Sequence, residues 1–429
     1  MTVDFGLNVG LVTDDSRSIK NGIYFLTTNS NKKYVDEALK KGAKCIVPKE
    51  LINLLDLNSL KIVGVTGTNG KTTTTAAIYS ILLDLGYKSA LQGTRGFFID
   101  DKRIEEKSLT TPPSLATIYH MHQAKNSGCE FFVMEVSSHA IDQNRIEGLD
   151  FTLKVHTNVT NDHLDYHGTI KKYRAVKSSF FQDDCKKLIN CDEDVLNFNI
   201  TNSFSYGIEN PATYKIVAYS LDEGISGVLK HFETVATFKT SLLGFFNLYN
   251  ITAAIAAVHI LTQEDLGDIC EVAENFGGVS GRMEIVSKNP FIVVDFAHTE
   301  DGIRQVLDFF KDRTVKVVFG AGGDRDRSKR PLMGHIATSM AKKVYITSDN
   351  PRSEDPLKII DEIAKGIKNK DNFEKIVDRK EAIKRAISEL KDKEVLLVLG
   401  KGDEEFQEIN GKFIPFDDRK VIKEILDYR

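Results

Sequence analysis

Short apolar runs alternate along this chain with longer stretches in which apolar residues return every three or four positions. Residues 60–66, 130–136, 153–159, 291–295, 315–319, 343–347 and 394–399 each read as strands apolar enough to be covered on both faces, as in a parallel sheet. The stretches between them read as amphipathic helices: Ala77, Ile78, Ile81, Leu82 and Leu85 share one face, and Gly86 closes that helix. The pattern predicts α/β architecture. No fixed-period repeat and no low-complexity tract is present, which sets aside solenoids and tails.

Polar clusters follow those strands at residues 67–72, 137–139, 158–163, 320–327, 349–352 and 400–404. Open parallel sheets bind ligands beyond the carboxyl ends of their strands, so these clusters are expected to converge on clefts. With 429 residues and roughly 100 to 200 per domain, two to four domains are expected. The boundaries are placed before the strand at residue 61 and after the Gly-Gly-Val-Ser-Gly stretch ending at Gly281. This gives domains 1–60, 61–281 and 282–429.

Composition narrows the function. Lys plus Arg number 57 against 61 Asp plus Glu, a net charge of -4, so there is no basic footprint for nucleic acid and anionic ligands must be held locally. The amino terminus lacks the features of a signal peptide and no apolar run approaches a membrane span, so a cytosolic location without membrane insertion is expected. Five scattered cysteines, none in a CxxC pair, read as reduced thiols.

The sharpest chemistry is GVTGTNGKT at residues 64–72, which follows a strand and opens a helix. Backbone N–H groups and the helix terminus attract phosphate, Lys71 neutralises the terminal phosphates, and the Thr72 hydroxyl can reach Mg²⁺. The general phosphate loop has glycine where this chain has Val65, and the glycine at Gly67 points to a subclass. Glu135 ends a buried run, where an ionised carboxylate needs a cation or a donor, and is therefore a metal-ligand candidate. His163, in TNVTNDHLDYHG at residues 157–168, is a further ligand or phosphate contact. His139, His156 and His167 are by default structural, and Lys177 is by default a solvated helix residue.

TGTNGKTTT, Thr110-Thr111-Pro112, EVSSHA, TNVTNDHLDYHG, YRAVK, LLGFFNLYN, GRME, VDFAHT, GAGGDRDRSKRP, DNPRSE and GKGDE together resemble, in the same order, the tripeptide synthetases of the Mur ligase family. The resemblance runs from about residue 62 to the end, and more weakly back to Asp15-Ser16-Arg17. It implies a three-domain ligase: a small uridine-binding α/β domain, a central ATPase-like parallel sheet and a Rossmann-like C-terminal domain. The reaction it implies is ATP-dependent, with a D-glutamyl γ-carboxylate converted to an acyl phosphate that an amine then attacks. Residues Gly67, Thr68, Asn69, Gly70, Lys71, Thr72, Thr73, Asn247, Asn250, Arg282 and Asp295 are implied for ATP. Thr72, Glu135, His163 and Lys177 as its carbamate are implied for Mg²⁺, with Lys71, Lys177 and His163 catalytic. Ser16, Thr110, Thr111, Ser137, Gln143 and Arg145 are implied for the UDP-N-acetylmuramoyl dipeptide. A monomer is expected.

DNPR at residues 349–352 bears on the amine. Diaminopimelate carries a second carboxylate beside its distal amine, so a binder needs a fixed cation and an anion. Arg352 offers a bidentate fork behind Pro351, and Asp349 with Glu404 can answer the ammonium. In the family an arginine at the Arg352 position marks diaminopimelate enzymes, and Arg325, Asn350 and Gly400 belong to the same implied site. Two departures are visible. Asp403 stands where the family carries histidine, and the segment before residue 62 is shorter than the family's first domain. Competing readings are a folylpolyglutamate synthase, a lysine-adding or D-alanyl-D-alanine-adding relative, and a P-loop ATPase switch. Substrates shared between domains imply closure about Gly281 and Arg282.

Overall fold

The computed structural model describes residues 1–6, 9–106 and 109–427. Its strands form a four-stranded, an eleven-stranded and a six-stranded sheet in chain order, plus a two-stranded hairpin. The first sheet pairs Thr2–Asp4, Leu11–Thr13, Tyr24–Leu26 and Lys44–Ile46. It closes only a small core of its own around Ile19, Ile23, Phe25, Ala38 and Ala43. Its other apolar face, with Val3, Val12, Leu26 and Ile46, merges with Leu115, Ile118 and Met121 of the following unit. So short a segment buries too little surface to stand alone, and it borrows its neighbour's core.

The eleven-stranded sheet is parallel at its centre. Lys186–Asn190, Phe151–His156, Lys61–Thr66, Phe131–Glu135 and Ser89–Gly93 lie side by side in that order. The apolar runs predicted Lys61–Thr66, Phe131–Glu135 and the strand ending at His156, but not Lys186–Asn190 or Ser89–Gly93. The run placed at 153–159 starts two residues earlier and ends at His156, where the chain leaves the sheet for the polar loop. Pattern reading did not supply the antiparallel extension Tyr214–Ser220, Ile225–His231 and Thr234–Thr240. Only one face of it is covered, so apolar and polar residues alternate: Ile225, Gly227 and Leu229 are turned inward while Val217 and Val235 are exposed.

The helix Phe245–Thr262 has 18 residues and is apolar enough to cross a membrane by length and composition. The sequence pattern had suggested no such run. Here it is a core helix: Leu248, Ile251, Ala254, Ile255 and Val258 are enclosed with Ile78, Ile81 and Leu82 of the helix Lys71–Asp84.

The six-stranded sheet has parallel neighbours Phe291–Asp295, Val395–Leu399, Val315–Phe319, Lys343–Ile346 and Phe373–Lys375, with Glu284–Lys288 antiparallel on the edge. Its central strands are enclosed on both faces. The ends of four adjacent strands therefore deliver the loops beginning at Phe296, Gly320, Thr347 and Gly400 to one rim.

Candidate active site

The phosphate loop forms because its glycines admit contacts no side chain could. A Cβ at Gly67 would overlap the Thr157 hydroxyl, and one at Gly70, whose φ is +83, would strike the Asn250 amide oxygen. Lys71 folds back over the loop, its Nζ donating to the Gly67 and Thr68 carbonyls, each at 2.8 Å. Burial pushes its ammonium pKa below the usual value, against the pull of Glu135 and Asp162. Asn69 donates from its amide to Asp301 of the C-terminal sheet unit at 3.1 Å. Thr68 shares a hydrogen bond with the Tyr173 hydroxyl at 3.0 Å, and Thr73 is buried in the first helical turn.

Glu135 joins the phosphate loop to the peptide side. Its carboxylate accepts from the Thr72 hydroxyl at 2.9 Å and from the Thr94 backbone N–H at 2.8 Å. Thr94 donates to Thr110 at 3.1 Å, and Thr111 donates to the Glu135 carbonyl at 2.9 Å while accepting from the Ser137 N–H at 2.9 Å. Arg145 reaches the Thr111 carbonyl at 2.8 Å and the Gln143 amide oxygen at 2.6 Å. Thr110, Thr111, Ser137, Gln143 and Arg145 thus form one continuous hydrogen-bonded strip.

Gln143 and Arg145 also line a cavity of about 520 Å³ that extends to Asp14, Thr28, Asn29, Ser30 and Asn31. Ser16 is outside that lining and instead begins a short helical turn capped by Asp15, its carbonyl accepting from Lys41 at 3.0 Å. The polar cluster 27–31 escaped the sequence reading although it follows a strand, as the other clusters do. The three-residue strand Tyr24–Leu26 is too short to signal itself.

Lys177 is 1 % exposed, not the solvated helix residue that is the default for its type. Its Nζ lies 2.9 Å from the Gly67 carbonyl and 3.4 Å from the Thr66 hydroxyl. Burial and the nearby Lys71 charge push its pKa well below the ordinary lysine value. His163 takes a left-handed conformation, φ +53, and its ring sits 3.5 Å from the Asp162 carboxylate. Burial lowers its pKa to about 4 despite Asp162. Asp162 is held at about 2, since His163, His298 and Lys329 outweigh the effect of burial. His139 packs at 4.9 Å from the His163 ring, and His167 bonds Ser138 at 3.0 Å. His156 is fully buried with both ring nitrogens unpartnered among the described residues.

The donor chemistry here fits Mg²⁺. A hydroxyl and a carboxylate meet at a helix N-terminus beside the phosphate loop, and Mg²⁺ draws its remaining oxygens from phosphate and water. Among the described residues no group of three or more His, Cys, Asp or Glu could hold a metal by itself, so Thr72 and phosphate oxygens are needed.

Asn247 and Asn250 share a face of the Phe245–Thr262 helix, bonded to each other at 2.8 Å, with Asn250 also accepting from Thr74 at 3.3 Å. Asp295 is buried, which raises its pKa, and it accepts from the Met283 and Ala297 N–H groups, both at 2.7 Å. Arg282 stacks over Phe296 at 4.1 Å. Gly281 has φ +71, and a Cβ there would overlap the Asp403 backbone, so the junction between the two large units needs glycine.

At the rim of the C-terminal sheet, Arg352 donates to the Gly323 carbonyl at 2.7 Å and pairs with Glu408 at 3.2 Å. Asp349 lies beneath Gly400, whose Cβ would come 2.6 Å from its carboxylate. Pro351 and Asn350 are buried, and Asn350 donates to Glu404 at 2.7 Å. Arg325 is exposed, yet close enough to add, across the units, to the lowering of the His139 pKa that burial chiefly causes. Sequence reasoning missed Glu408, because only the bridge between Arg352 and Ile409 brings it alongside.

Two family models match, the Mur ligase middle domain over residues 65–258 and the Mur ligase glutamate ligase domain over 281–402. The chain belongs to the Mur ligase family. It is 55 % identical to a UDP-N-acetylmuramoyl-L-alanyl-D-glutamate–2,6-diaminopimelate ligase of Wolinella succinogenes, over 96 % of this chain and 95 % of that one. A Helicobacter hepaticus protein of the same name is 47 % identical over 98 % and 91 %. A solved structure bearing that name superposes with TM-score 0.68 at 31 % identity, covering 97 % of this chain and 94 % of the other. Mycobacterium tuberculosis folylpolyglutamate synthase reaches the same TM-score at 16 % identity, over 82 % of this chain and 91 % of its own, a likeness of fold. As a Mur ligase the chain is an ATP-dependent, ADP-forming ligase that works with Mg²⁺.

Proposed function

We propose that this Mur ligase joins meso-diaminopimelate to the D-glutamyl γ-carboxylate of UDP-N-acetylmuramoyl-L-alanyl-D-glutamate, in the cytoplasm and as a monomer, during peptidoglycan-precursor synthesis. The observation that carries the reading is Arg352, a guanidinium fixed at a sheet rim with Asp349 on its own loop and Glu404 on the neighbouring one. That grouping matches the carboxylate and ammonium of a distal amino-acid centre, which lysine lacks in its carboxylate half.

The γ-carboxylate attacks the γ-phosphorus of ATP, ADP departs, and an acyl phosphate forms. The amine then attacks the acyl carbon, loses a proton, and inorganic phosphate leaves from the tetrahedral intermediate. The difficulty is bringing two anions together. Lys71 and the loop N–H groups offset phosphate charge, and the strip from Thr110 to Arg145 holds the peptide so that its carboxylate faces the phosphate loop. Asn247, Asn250, Asp295 and Arg282 take the nucleoside and terminal phosphate. Thr72, Glu135 and His163 would hold Mg²⁺, which would supply charge neutralisation at the phosphates when bound.

Lys177 carries the carbamate in this reading. Its depressed pKa favours the neutral amine, the form whose lone pair attacks CO₂; the nitrogen then loses a proton and a neutral buried amine becomes an anion.

Phosphate release tests the assignment. With ATP, Mg²⁺ and the UDP-muramoyl dipeptide, release is expected only when diaminopimelate is added, and not with lysine. Release indifferent to any amine would indicate an ATPase switch, and release driven by lysine or D-alanyl-D-alanine would indicate a different family member.

A further inference from the structure

We propose that Lys401 is a positioning residue of the amine-donor pocket, fixing through Asn350 and Glu404 the carboxylate that meets the incoming ammonium; this rests on the reading of that pocket given above. Lys401 lies between Gly400 and Gly402, whose φ values of +109 and +55 turn the chain so that its side chain runs inward and is 0 % exposed. A buried ammonium is tolerated only when each of its donors is answered. Here three acceptors do so: the Glu404 carboxylate at 2.8 Å, the Phe406 carbonyl at 2.6 Å and the Asn350 amide oxygen at 3.2 Å.

The arrangement fixes the orientation of Asn350. Its amide oxygen accepts from Lys401 and from the Glu408 N–H at 3.0 Å, while its amide nitrogen donates to Glu404 at 2.7 Å. Turning the amide over would set its NH₂ against two donors and its oxygen against a carboxylate. Lys401 and Asn350 both bond the same Glu404 oxygen, Oε2, so Oε1 has no hydrogen bond among the described residues and is left for a ligand. One buried cation thus ties the loop after Lys343–Ile346 to the loop after Val395–Leu399. A packing lysine would need only a single anion; this one is bonded to two side chains of the pocket itself.

The test is kinetic, on the full-length enzyme, with diaminopimelate varied. For Lys401→Met the KM for diaminopimelate is expected to rise about 10-fold or more, with kcat within about threefold and the KM values for ATP and UDP-muramoyl dipeptide within about twofold. Asn350→Ala is expected to act in the same direction, and the double variant to be no worse than about the larger single effect, since both act on one carboxylate. An unchanged amine KM, an additive double variant, or a loss spread over kcat and all three KM values overturns the proposal. Should Lys401→Met not fold, Lys401→Gln decides instead, since it shortens the side chain and removes the charge without touching the amine donor: a selectively raised amine KM supports the network and an unchanged one refutes it. If the wild type accepts lysine instead of diaminopimelate, the substrate reading falls. The variants titrated with lysine still decide the positioning role.

Discussion

Lys177 and Arg352 show how a residue's surroundings set its chemistry. Each would be an ordinary surface cation on a bare helix or turn. Enclosure beside the Gly67 carbonyl and Lys71 disfavours the ammonium form of Lys177, and the carbamate proposed there would supply an anion to the metal site. Lys177→Ala should therefore abolish measurable ligation, and added short-chain carboxylic acids should restore part of it in a phosphate-release assay; full activity with no acid present would remove Lys177 from the metal site. Arg352 is held by Gly323 and Glu408 in a left-handed conformation, φ +51, so its fork is placed before any ligand arrives. Arg352→Ala should raise the KM for diaminopimelate by a factor worth roughly 2 to 5 kcal/mol, read from initial rates. Unaltered diaminopimelate kinetics would refute the role. The type of both residues was legible in the sequence, and the role of Lys177 came only through resemblance. Burial, which gives that role a physical cause, depends on the packing of the helix Ile170–Ser179 against the loop after Lys61–Thr66.

Among the elements, the central parallel strands with continuous apolar runs were readable because both of their faces are covered, while Ser89–Gly93, Lys186–Asn190 and Phe373–Lys375, whose runs are broken by polar residues, were not. The same logic located most polar loops, since a loop following a buried strand must end at the sheet's rim. It failed for Tyr24–Leu26, which is too short, and for the strands between Tyr214 and Thr240, which alternate. A second device at this scale is invisible in sequence. Arg379 and Asp418, both 0 % exposed, form a bidentate pair at 2.7 Å, and Arg379 also donates to the Leu399 carbonyl at 2.9 Å. The pair joins the start of the helix Arg379–Ser388 to the start of Asp418–Asp427 and pins the strand end that leads into Gly400. Removing one partner leaves a buried charge unmatched, so Arg379→Ala should cost about 3 to 5 kcal/mol in denaturant unfolding of the C-terminal unit. A loss below about 1 kcal/mol would mean that water replaces the pair.

For the whole molecule the question is how separate units share one reaction. The first unit is tied to the second by a common apolar core, whereas the C-terminal unit meets the second through Leu243 and Phe246 and, around the phosphate loop, through polar contacts: Asn69 with Asp301 at 3.1 Å, and Lys329 with Asp162 and Arg95 with Asp403 at 3.9 Å each. Polar contacts can be exchanged for ligand contacts at little cost, so motion is expected about Gly281 and Arg282 rather than at the first junction. The radius of gyration from solution scattering should fall when a nonhydrolysable ATP analogue, the dipeptide and diaminopimelate are added together; identical curves with and without them would exclude closure. The sequence by itself determined the α/β class, the phosphate loop and the family, because strand burial, glycine-dependent turns and ordered motifs are local. Only the tertiary structure decided that Lys177 is enclosed, that Glu408 stands beside Arg352, that Lys401 joins Asn350 to Glu404, and that residues 28–31 rather than Ser16 line the cavity beside Gln143 and Arg145. Those facts depend on which strand ends become neighbours, and no stretch of chain carries that information alone.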